Sequence, residues 1–414
     1  HTHTHIPQCS IHSFGEKFPI AWNTNIIIMV PISDGVIIKL LILINNLNFF
    51  CSHRLPIAEA AKVRGFDVVI GYGELGGADF KLLDQKGFKI RYIPMQRGRI
   101  NPFNELKTFF YIWKFFKKER PDIVHLVTIK PYLYGGIISR LLSVRAVVSA
   151  ISGFGTLFVS KNLKFKILRL LLSPIFKFSF NHSNQMIIVQ NESDLKLLIK
   201  FGILNLSKIK IFKGSGVKLE NFVDLKEPSG IPTVCFAARL LRDKGIYEFV
   251  SAARILNERG IQARFFIAGD LDVNNPSGIN FDEYMKLKHE KSIEVLGYHK
   301  NIPELYAKSH IVCLPSYREG LPKSLIEAAA ASRAVITTDV PGCRDAIVPN
   351  KTGLLVPVKD PYKLADSLQW LIEHPKERVA MGKEGRKLAE KEFCIEKIVK
   401  DHLNIYKQLI LSQS

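Results

Sequence analysis

The residues whose types and spacing best suit chemistry lie in the stretch SYREGLPKSLIEAAA, at 316–330. Glu319 falls in a predicted loop after a strand, and Pro322 suits the first turn of the following helix, where its missing N–H is not needed. Free N–H groups at the start of that helix predict a diphosphate site. Glu327, one turn into the helix, is placed to accept hydrogen bonds from ribose hydroxyls. The alternative is an ordinary amphipathic helix with solvated glutamates.

A second stretch, FAARLLRDKG at 236–245, supplies positive charge. Arg239 is predicted at the end of a strand, and Lys244 just before the next helix. A planar guanidinium fork and a compact ammonium can together hold a diphosphate leaving group. Each cation alone is better explained as a surface residue. Because both stretches lie in one α/β half of the chain, they predict a site for a ligand that carries a diphosphate.

Together, these two stretches resemble the donor-binding signature of glycosyltransferase family 4, the retaining GT-B transferases with an E-x7-E motif. The first half is similar to a subgroup that builds O-antigen, capsule and related glycans on a polyprenyl-diphosphate lipid. The similar stretches there include RPDIVHLVTIKPYLYGG (120–136), SAISGFG (149–155) and VQNESD (189–194). The resemblance covers roughly Val36 to Gln408. It implies transfer of a sugar, with anomeric retention, from a nucleotide-sugar donor to a lipid-linked glycan acceptor.

The resemblance also implies a role for each residue of the site. Arg239 and Lys244 would bind the donor's diphosphate and stabilise it as it leaves. Glu319 would contact hydroxyls of the donor sugar, and Glu327 would bind the ribose. The other substrate-binding candidates lie around the helix start, or after a neighbouring strand: Gly320, Leu321, Pro322, Lys323, Ser324 and Gly269. The expected donor is a UDP-sugar that carries an N-acetylhexosamine or a deoxy derivative.

A polar group in the first half is harder to assign. Many members of the family have a histidine where Ser152 stands in AISGFG, so we assign no catalytic histidine at that position. His53, in the first strand–helix connection, and His125 are the alternatives. A structural role is the competing interpretation for each, because a histidine in a βα unit is more often structural.

The triplet DLD at 270–272 offers a metal-dependent alternative, because carboxylates after a strand can bind Mg²⁺ or Mn²⁺ through a donor diphosphate. It competes with a complete cationic site at Arg239 and Lys244, which would replace the metal that other transferases use. We therefore expect no metal and no cofactor, with the nucleotide-sugar acting as a co-substrate.

Short β-branched runs alternate with helical patterns along the chain, which predicts an α/β fold of parallel sheets covered by helices. The resemblance implies the GT-B form, with two Rossmann-like domains facing across a cleft. A polar segment at 220–231 suits an interdomain linker. We expect an irregular extension at 1–35, an acceptor-binding domain at 36–225 and a nucleotide-sugar-binding domain at 226–393. A last helix at 394–414 is expected to cross back to the first domain.

Positive charge is concentrated in the first half of the chain. The net charge is +20, and residues 1–229 hold 31 basic and 15 acidic side chains out of totals of 58 and 38. Basic amphipathic stretches at 104–121 and 161–178 suit an anionic membrane surface. We expect a cytoplasmic protein, peripherally associated with the inner face of the plasma membrane, where a lipid-linked acceptor lies. Core helices with a solvated charged face are the alternative.

Other functions compete with sugar transfer. A dinucleotide-dependent oxidoreductase or a GT-B sugar-nucleotide epimerase fits the α/β pattern, but SGFGTLF lacks the full G-x-G-x-x-G fingerprint because Phe158 occupies its last position. A non-enzymatic protein that binds nucleic acid or membranes fits the charge. No zinc-finger, RNP or helix-turn-helix signature supports nucleic acid, so we expect none as a partner. The six cysteines form no C-x-x-C pair and are expected to be free thiols.

Overall fold

The computed structural model describes residues 37–95, 101–153, 163–203, 205–223, 226–273 and 275–412. The expected extension at 1–35 lies outside these residues, as do Phe158 and Lys161. Within them, the chain forms two parallel sheets, each covered by helices on both faces. The predicted α/β class is therefore confirmed.

The first sheet has seven strands, most of whose positions are buried because helices cover both faces. They are β1 (Lys39–Asn46), β2 (Asp67–Glu74), β3 (Lys89–Tyr92), β4 (Ile123–Val127), β5 (Ala146–Ala150), β6 (Gln185–Val189) and β7 (Ile209–Ile211). Their order across the sheet is β3-β2-β1-β4-β5-β6-β7. The order reverses between β1 and β4, which is where open α/β sheets bind ligands beyond their strand ends.

The second sheet repeats this plan with six strands. They are β8 (Thr233–Ala237), β9 (Arg264–Ala268), β10 (Glu294–Gly297), β11 (Ile311–Leu314), β12 (Ala334–Thr338) and β13 (Gly353–Val356). Their order is β10-β9-β8-β11-β12-β13, so the reversal falls between β8 and β11. The loops after β8 and β11 therefore meet at the carboxyl edge of the sheet, where the predicted donor residues lie.

Helices connect the strands, and several begin at a side-chain cap, including those that start after Asn46, Asn101, Asn191 and Asp360. In the first domain they are α1 (Leu47–His53), α2 (Leu55–Val63), α3 (Phe80–Gln85), α4 (Pro102–Glu119), α5 (Gly136–Leu141), α6 (Leu163–Ser179) and α7 (Glu192–Lys200). Those that follow are α8 (Ile246–Glu258), α9 (Phe281–Lys288), α10 (Ile302–Ala307), α11 (Lys323–Ala330), α12 (Pro361–Glu373), α13 (Pro375–Leu388) and α14 (Ile395–Leu411).

Helix α14 follows the second domain in sequence but packs on the first sheet. Its apolar face shares a core with β1, β2 and β5 through residues such as Val399 and Leu409. The chain crosses at Val217, whose N–H donates to the Phe393 carbonyl at 2.8 Å and whose carbonyl accepts from the Ile395 N–H at 3.1 Å. The last helix is therefore part of the first domain's core.

Candidate active site

The centre of the site is an ion pair between Lys244 and Glu319. Nζ of Lys244 donates to Oε1 of Glu319, and the two side chains are only 18% and 10% exposed. Lys244 ends a short 3-10 turn after β8, whereas Glu319 lies in the loop after β11. Because these strands are neighbours at the reversal point of the second sheet, the predicted cation and carboxylate meet there.

Hydrogen bonds hold the loops after β8 and β11 together. The Asp243 carbonyl accepts from the Ser316 hydroxyl at 3.0 Å and from the Tyr317 N–H at 2.8 Å. Gly245 has a φ of +75° and lies against the Pro315 carbonyl so closely that no β carbon fits. Glycine is therefore required after Lys244, both for the backbone conformation and for this close approach.

Helix α11 begins at Lys323, so the prediction that Pro322 occupies its first turn is wrong by one residue. Pro322 has an extended conformation, with φ −71° and ψ 123°, and its carbonyl accepts from the Leu325 N–H at 3.1 Å. The N–H groups of Lys323 and Ser324 precede this bond, so helix geometry gives them no intrahelical partner. They lie just after Gly320 and Leu321, as a phosphate cradle requires.

Lys323 and Glu327 lie one turn apart on α11, at the boundary between the domains. Nζ of Lys323 is 3.6 Å from Oε1 of Glu327 and donates to the Ser52 carbonyl of the first domain at 2.7 Å. Burial raises the pKa of the Glu327 carboxyl, and the neighbouring Lys323 opposes that rise. The predicted ribose-binding carboxylate is therefore held beside a cation that also contacts the other domain.

Arg239 occupies the more open edge of the site. Its Nη1 donates to Oδ2 of Asp272 at 2.5 Å, and its side chain is 52% exposed. Gly269 follows β9 at the same sheet edge, where a β carbon would collide with the Ala238 carbonyl. Asp272 belongs to the DLD triplet, so a candidate metal ligand is engaged by the predicted diphosphate cation. Among the described residues, no group of three or more His, Cys, Asp and Glu side chains is placed to hold a metal.

Two loops of the first domain face this site. His53 ends α1, and its ring stacks on Phe49 with centroids 3.9 Å apart. Burial, Lys323 and Arg54 lower the pKa of His53, so a neutral imidazole faces the second domain. Arg54 is 2% exposed and donates to the His53 carbonyl at 3.2 Å and to the Ser152 hydroxyl at 3.5 Å. The buried guanidinium therefore ties the loop after α1 to the loop after β5.

His125 does not join this cluster. It lies in β4 with no exposed surface, and its Nδ1 is 2.5 Å from Oη of Tyr406. The ring also stacks on His402 with centroids 5.7 Å apart, and both partners belong to α14. The expectation that His125 binds substrate is therefore corrected, because its imidazole is enclosed between the first sheet and α14.

One contact that joins the two domains at the site is not evident from the sequence. Nδ2 of Asn191, in the first domain, donates to the Gly320 carbonyl at 2.8 Å. A β carbon on Gly320 would collide with the Gln190 side chain and come within 2.9 Å of the Ser152 backbone. The motif VQNESD was recognised as a family feature, but neither spacing nor composition shows which loop it touches.

Arg318 is a second residue of the site that no sequence pattern singles out. It directly precedes Glu319 and faces Asp194 of the first domain, whose carboxyl pKa burial raises to about 6, a rise that the positive charge of Arg318 opposes. Burial also lowers the pKa of Arg318 itself. The feature of the sequence that points to Arg318 is its position next to Glu319.

Two family profiles match the chain. Residues 217–388 match the family described as "Glycosyl transferases group 1", and residues 39–191 match "Glycosyl transferase 4-like". The first range contains Lys244, Glu319 and Glu327, and the second spans β1 to β6. The chain belongs to these glycosyltransferases. Membership of this family favours sugar transfer over the oxidoreductase and epimerase hypotheses.

Relatives and a solved structure resemble this glycosyltransferase over most of its length. A Campylobacter jejuni N,N'-diacetylbacillosaminyl-diphospho-undecaprenol alpha-1,3-N-acetylgalactosaminyltransferase is 28% identical over 80% of this chain and 88% of its own. An Escherichia coli UDP-Gal:alpha-D-GlcNAc-diphosphoundecaprenol alpha-1,3-galactosyltransferase is 29% identical over 65% of this chain and 71% of its own. A crystal structure of a Rickettsia africae glycosyltransferase superposes with a TM-score of 0.70 at 20% identity, covering 91% of this chain and 100% of that one. The superposition confirms the GT-B fold.

Proposed function

We propose that this glycosyltransferase moves a sugar from a UDP-sugar to a polyprenyl-diphosphate-linked acceptor in the synthesis of bacterial surface polysaccharide, with retention at the anomeric carbon. The observation that carries the proposal is the Lys244–Glu319 pair at the carboxyl ends of β8 and β11, next to the start of α11. A cation in this place neutralises a leaving diphosphate, and a carboxylate beside it binds sugar hydroxyls.

In the proposed reaction, the bond between the anomeric carbon and the diphosphate oxygen breaks while the acceptor oxygen bonds to the same face of the sugar. The departing phosphate takes the proton of the acceptor hydroxyl. Lys244 and the N–H groups of Lys323 and Ser324 stabilise the negative charge that develops, each charged donor by ~3 kcal/mol. Arg239 joins them when the diphosphate replaces its partner Asp272. These cations take the role that a divalent metal has in other transferases.

The names of the relatives support this choice of donor and acceptor. The E. coli relative is named for UDP-Gal and the C. jejuni relative for N-acetylgalactosamine, and both names give a diphospho-undecaprenol acceptor and an α linkage. An α product is what a retaining enzyme makes from an α-linked donor. We therefore propose a UDP-linked hexose or N-acetylhexosamine as the donor.

The outer face of the first domain supports docking on an anionic membrane. Helices α4 and α6 pack on the same face of the first sheet through residues such as Phe116 and Phe176. Outward, α4 presents Phe103 at 77% exposure and Phe110 at 54%, and α6 presents Leu170 at 75%. Exposed lysines flank them, namely Lys107, Lys114, Lys117, Lys118 and Lys177. No helix among the described residues has the length and apolar character needed to cross a bilayer. We propose that this face rests on the cytoplasmic leaflet, where the acceptor is held.

A transfer assay tests the proposed reaction. The full chain is incubated with UDP-, GDP- and ADP-linked sugars and an undecaprenyl-diphosphate monosaccharide, and products are separated by mass spectrometry and their linkage read by NMR. We expect one UDP-sugar to give an α-linked disaccharide, with the rate unchanged by EDTA. Transfer from GDP- or ADP-sugars alone, a β linkage, or abolition by EDTA would each refute the corresponding part.

Flotation with vesicles tests the membrane proposal separately. The double variant Phe103→Glu, Phe110→Glu should lose binding to phosphatidylglycerol vesicles and retain transfer to a short-chain, water-soluble acceptor, because both side chains are exposed. Tyr362→Glu, at 66% exposure on the second domain, is the matched control and should still float. Equal flotation of all three proteins would contradict docking through α4.

A further inference from the structure

Asn191 both caps a helix of the first domain and donates a hydrogen bond to the second domain. Its Oδ1 accepts from the Asp194 N–H at 2.8 Å, which caps α7, and its Nδ2 donates to Oδ2 of Asp194 at 3.0 Å and to the Gly320 carbonyl at 2.8 Å. The residue is 2% exposed, so these bonds form away from competing water. The cap is local to the first domain, whereas the bond to Gly320 exists only when the two domains meet.

Gly320 lies between the central ion pair and the helix that follows. Its own carbonyl accepts from Asn191, its neighbour Glu319 pairs with Lys244, and α11 starts at Lys323. Fixing one carbonyl in this short loop fixes the direction of the Glu319 carboxylate and of the N–H groups after it. A side chain at Gly320 would also collide with Gln190 of the first domain.

Capping alone does not explain the contact. Asn280 caps α9 in the same way, accepting from the N–H of the acidic residue three positions on, Glu283, at the same 2.8 Å. Among the described residues, the Asn280 side chain makes no bond to the first domain. An asparagine cap therefore does not need its amide to reach across a cleft, and the donation by Asn191 is a separate feature.

Charge supports the same contact. Asp194, which accepts from Asn191, faces Arg318 of the second domain, and Arg318 directly precedes Glu319. The first domain thus approaches the loop 318–320 with a hydrogen-bond donor and a carboxylate. Both approach the loop that carries the predicted sugar-binding glutamate.

We propose that Asn191 is a positioning residue that completes the donor site when the domains close. The inference deepens the proposed function and rests on it: in the open enzyme the second domain binds the nucleotide, and in the closed enzyme Asn191 holds Gly320 so that Glu319 is set for transfer. Loss of the bond then lowers kcat and leaves nucleotide binding to the open form unchanged, because the bond is made only in the closed form.

Asn191→Ser tests this, because serine caps a helix as well as asparagine does but is too short to reach Gly320. We expect kcat to fall about tenfold, as loss of one buried hydrogen bond implies, with the UDP dissociation constant unchanged and the protein still fully folded at the assay temperature. Asn191→Asp, which keeps the cap and cannot donate, should lose at least as much. Asn280→Ser is the matched control and should keep wild-type kcat.

Hydrogen exchange separates this inference from the proposed function. In the absence of any substrate, amides 320–325 should exchange faster in Asn191→Ser than in wild type, and Asn280→Ser should match wild type. If wild type transfers no sugar but this difference appears, the proposed reaction fails and the positioning contact stands. Wild-type kcat in Asn191→Ser, an equal loss in Asn280→Ser, or a lowered unfolding midpoint that accounts for the loss would overturn the inference.

Discussion

The two walls of the cleft are built differently. On the second domain, charged side chains stand in pairs of opposite sign: Lys244 with Glu319, Lys323 with Glu327, and Arg239 with Asp272. On the first domain, four uncharged groups lie beside these pairs among the described residues, namely His53, Ser152, Gln190 and Asn191. Two charged side chains of that wall, Arg54 and Asp194, are only 2% and 7% exposed.

This difference separates two kinds of recognition. Paired charges bind an anion by exchanging one partner for another, so the empty site does not hold unopposed cations side by side. Uncharged groups instead select by shape and hydrogen bonding. Part of the positive charge of the first half lies away from the cleft, because α4 presents four exposed lysines on the outer face.

The largest effect is expected from the buried pair. Lys244→Ala removes a cation from beside the leaving group and should lower kcat/KM about a hundredfold, as removal of one oxyanion donor does. The fold should survive, since Lys244 lies in a loop at the sheet edge. Initial rates and a melting curve measure both. The control variant Lys308→Ala breaks an exposed pair with Glu304 and should change neither kcat/KM nor the melting temperature. A similar loss of kcat/KM in this control would contradict a special role for the buried pair.

A smaller effect is expected at the open edge of the same wall. Arg239→Ala should raise the donor KM about tenfold with less change in kcat, because its guanidinium is half exposed and water can replace part of its role. Titration of initial rate against donor concentration separates the two constants. Arg264→Ala removes a similarly exposed cation outside the site and is the control. A larger loss at Arg239 than at Lys244 would reverse the order proposed for the two cations.

The contribution of Asp194, in the first domain, should appear in the pH dependence of kcat. Asp194 has a pKa raised to about 6 by burial and by Asp345, while Arg318 and Asn191 oppose the rise. As pH falls through about 6, the carboxylate gains a proton and loses its attraction for Arg318, so kcat should fall a few-fold. Because the folded pKa exceeds the ordinary Asp value, the same protonation stabilises the fold. Asp194→Asn should remove this limb of the pH profile, and an unaltered profile would contradict the assignment.

The smallest catalytic effect is expected behind the first wall. Tyr406→Phe removes the hydroxyl 2.5 Å from Nδ1 of His125, leaving a buried nitrogen unpaired. The unfolding free energy should drop by ~1 kcal/mol, which lowers the melting temperature by about 2–4 °C in a domain of this size. Donor KM should stay at the wild-type value. A change in donor KM without a change in melting temperature would indicate that His125 contributes to substrate binding.

The sequence predicts the architecture well where patterns are local. Runs such as Ala334–Thr338 are wholly buried and rich in β-branched residues, which is typical of parallel strands. The helices that the sequence pattern does not indicate are α1, α7, α9 and α10. None of them exceeds nine residues, and α1, α7, α9 and α10 all start at an asparagine cap rather than in a long amphipathic repeat. Short capped helices leave too few turns for periodicity to be read.

The site divides in the same way. Arg239, Lys244, Glu319 and Glu327 could be predicted because all four lie in two short stretches of one domain that resemble a family signature. The bond from Asn191 to Gly320 joins residues 129 positions apart in different domains, and no periodicity encodes it. His125 was misjudged for a related reason, because the helix that buries it lies far along the chain.

The placement of α14 has a consequence for how the protein is made. Its residues Ile395, Val399, Tyr406 and Leu409 fill the core between the first sheet and solvent, yet the ribosome adds them only after the whole second domain. Domains that emerge first generally fold first. In this protein, one hydrophobic face of the first domain stays exposed until α14 has been synthesised. During that interval the nascent chain is prone to aggregation.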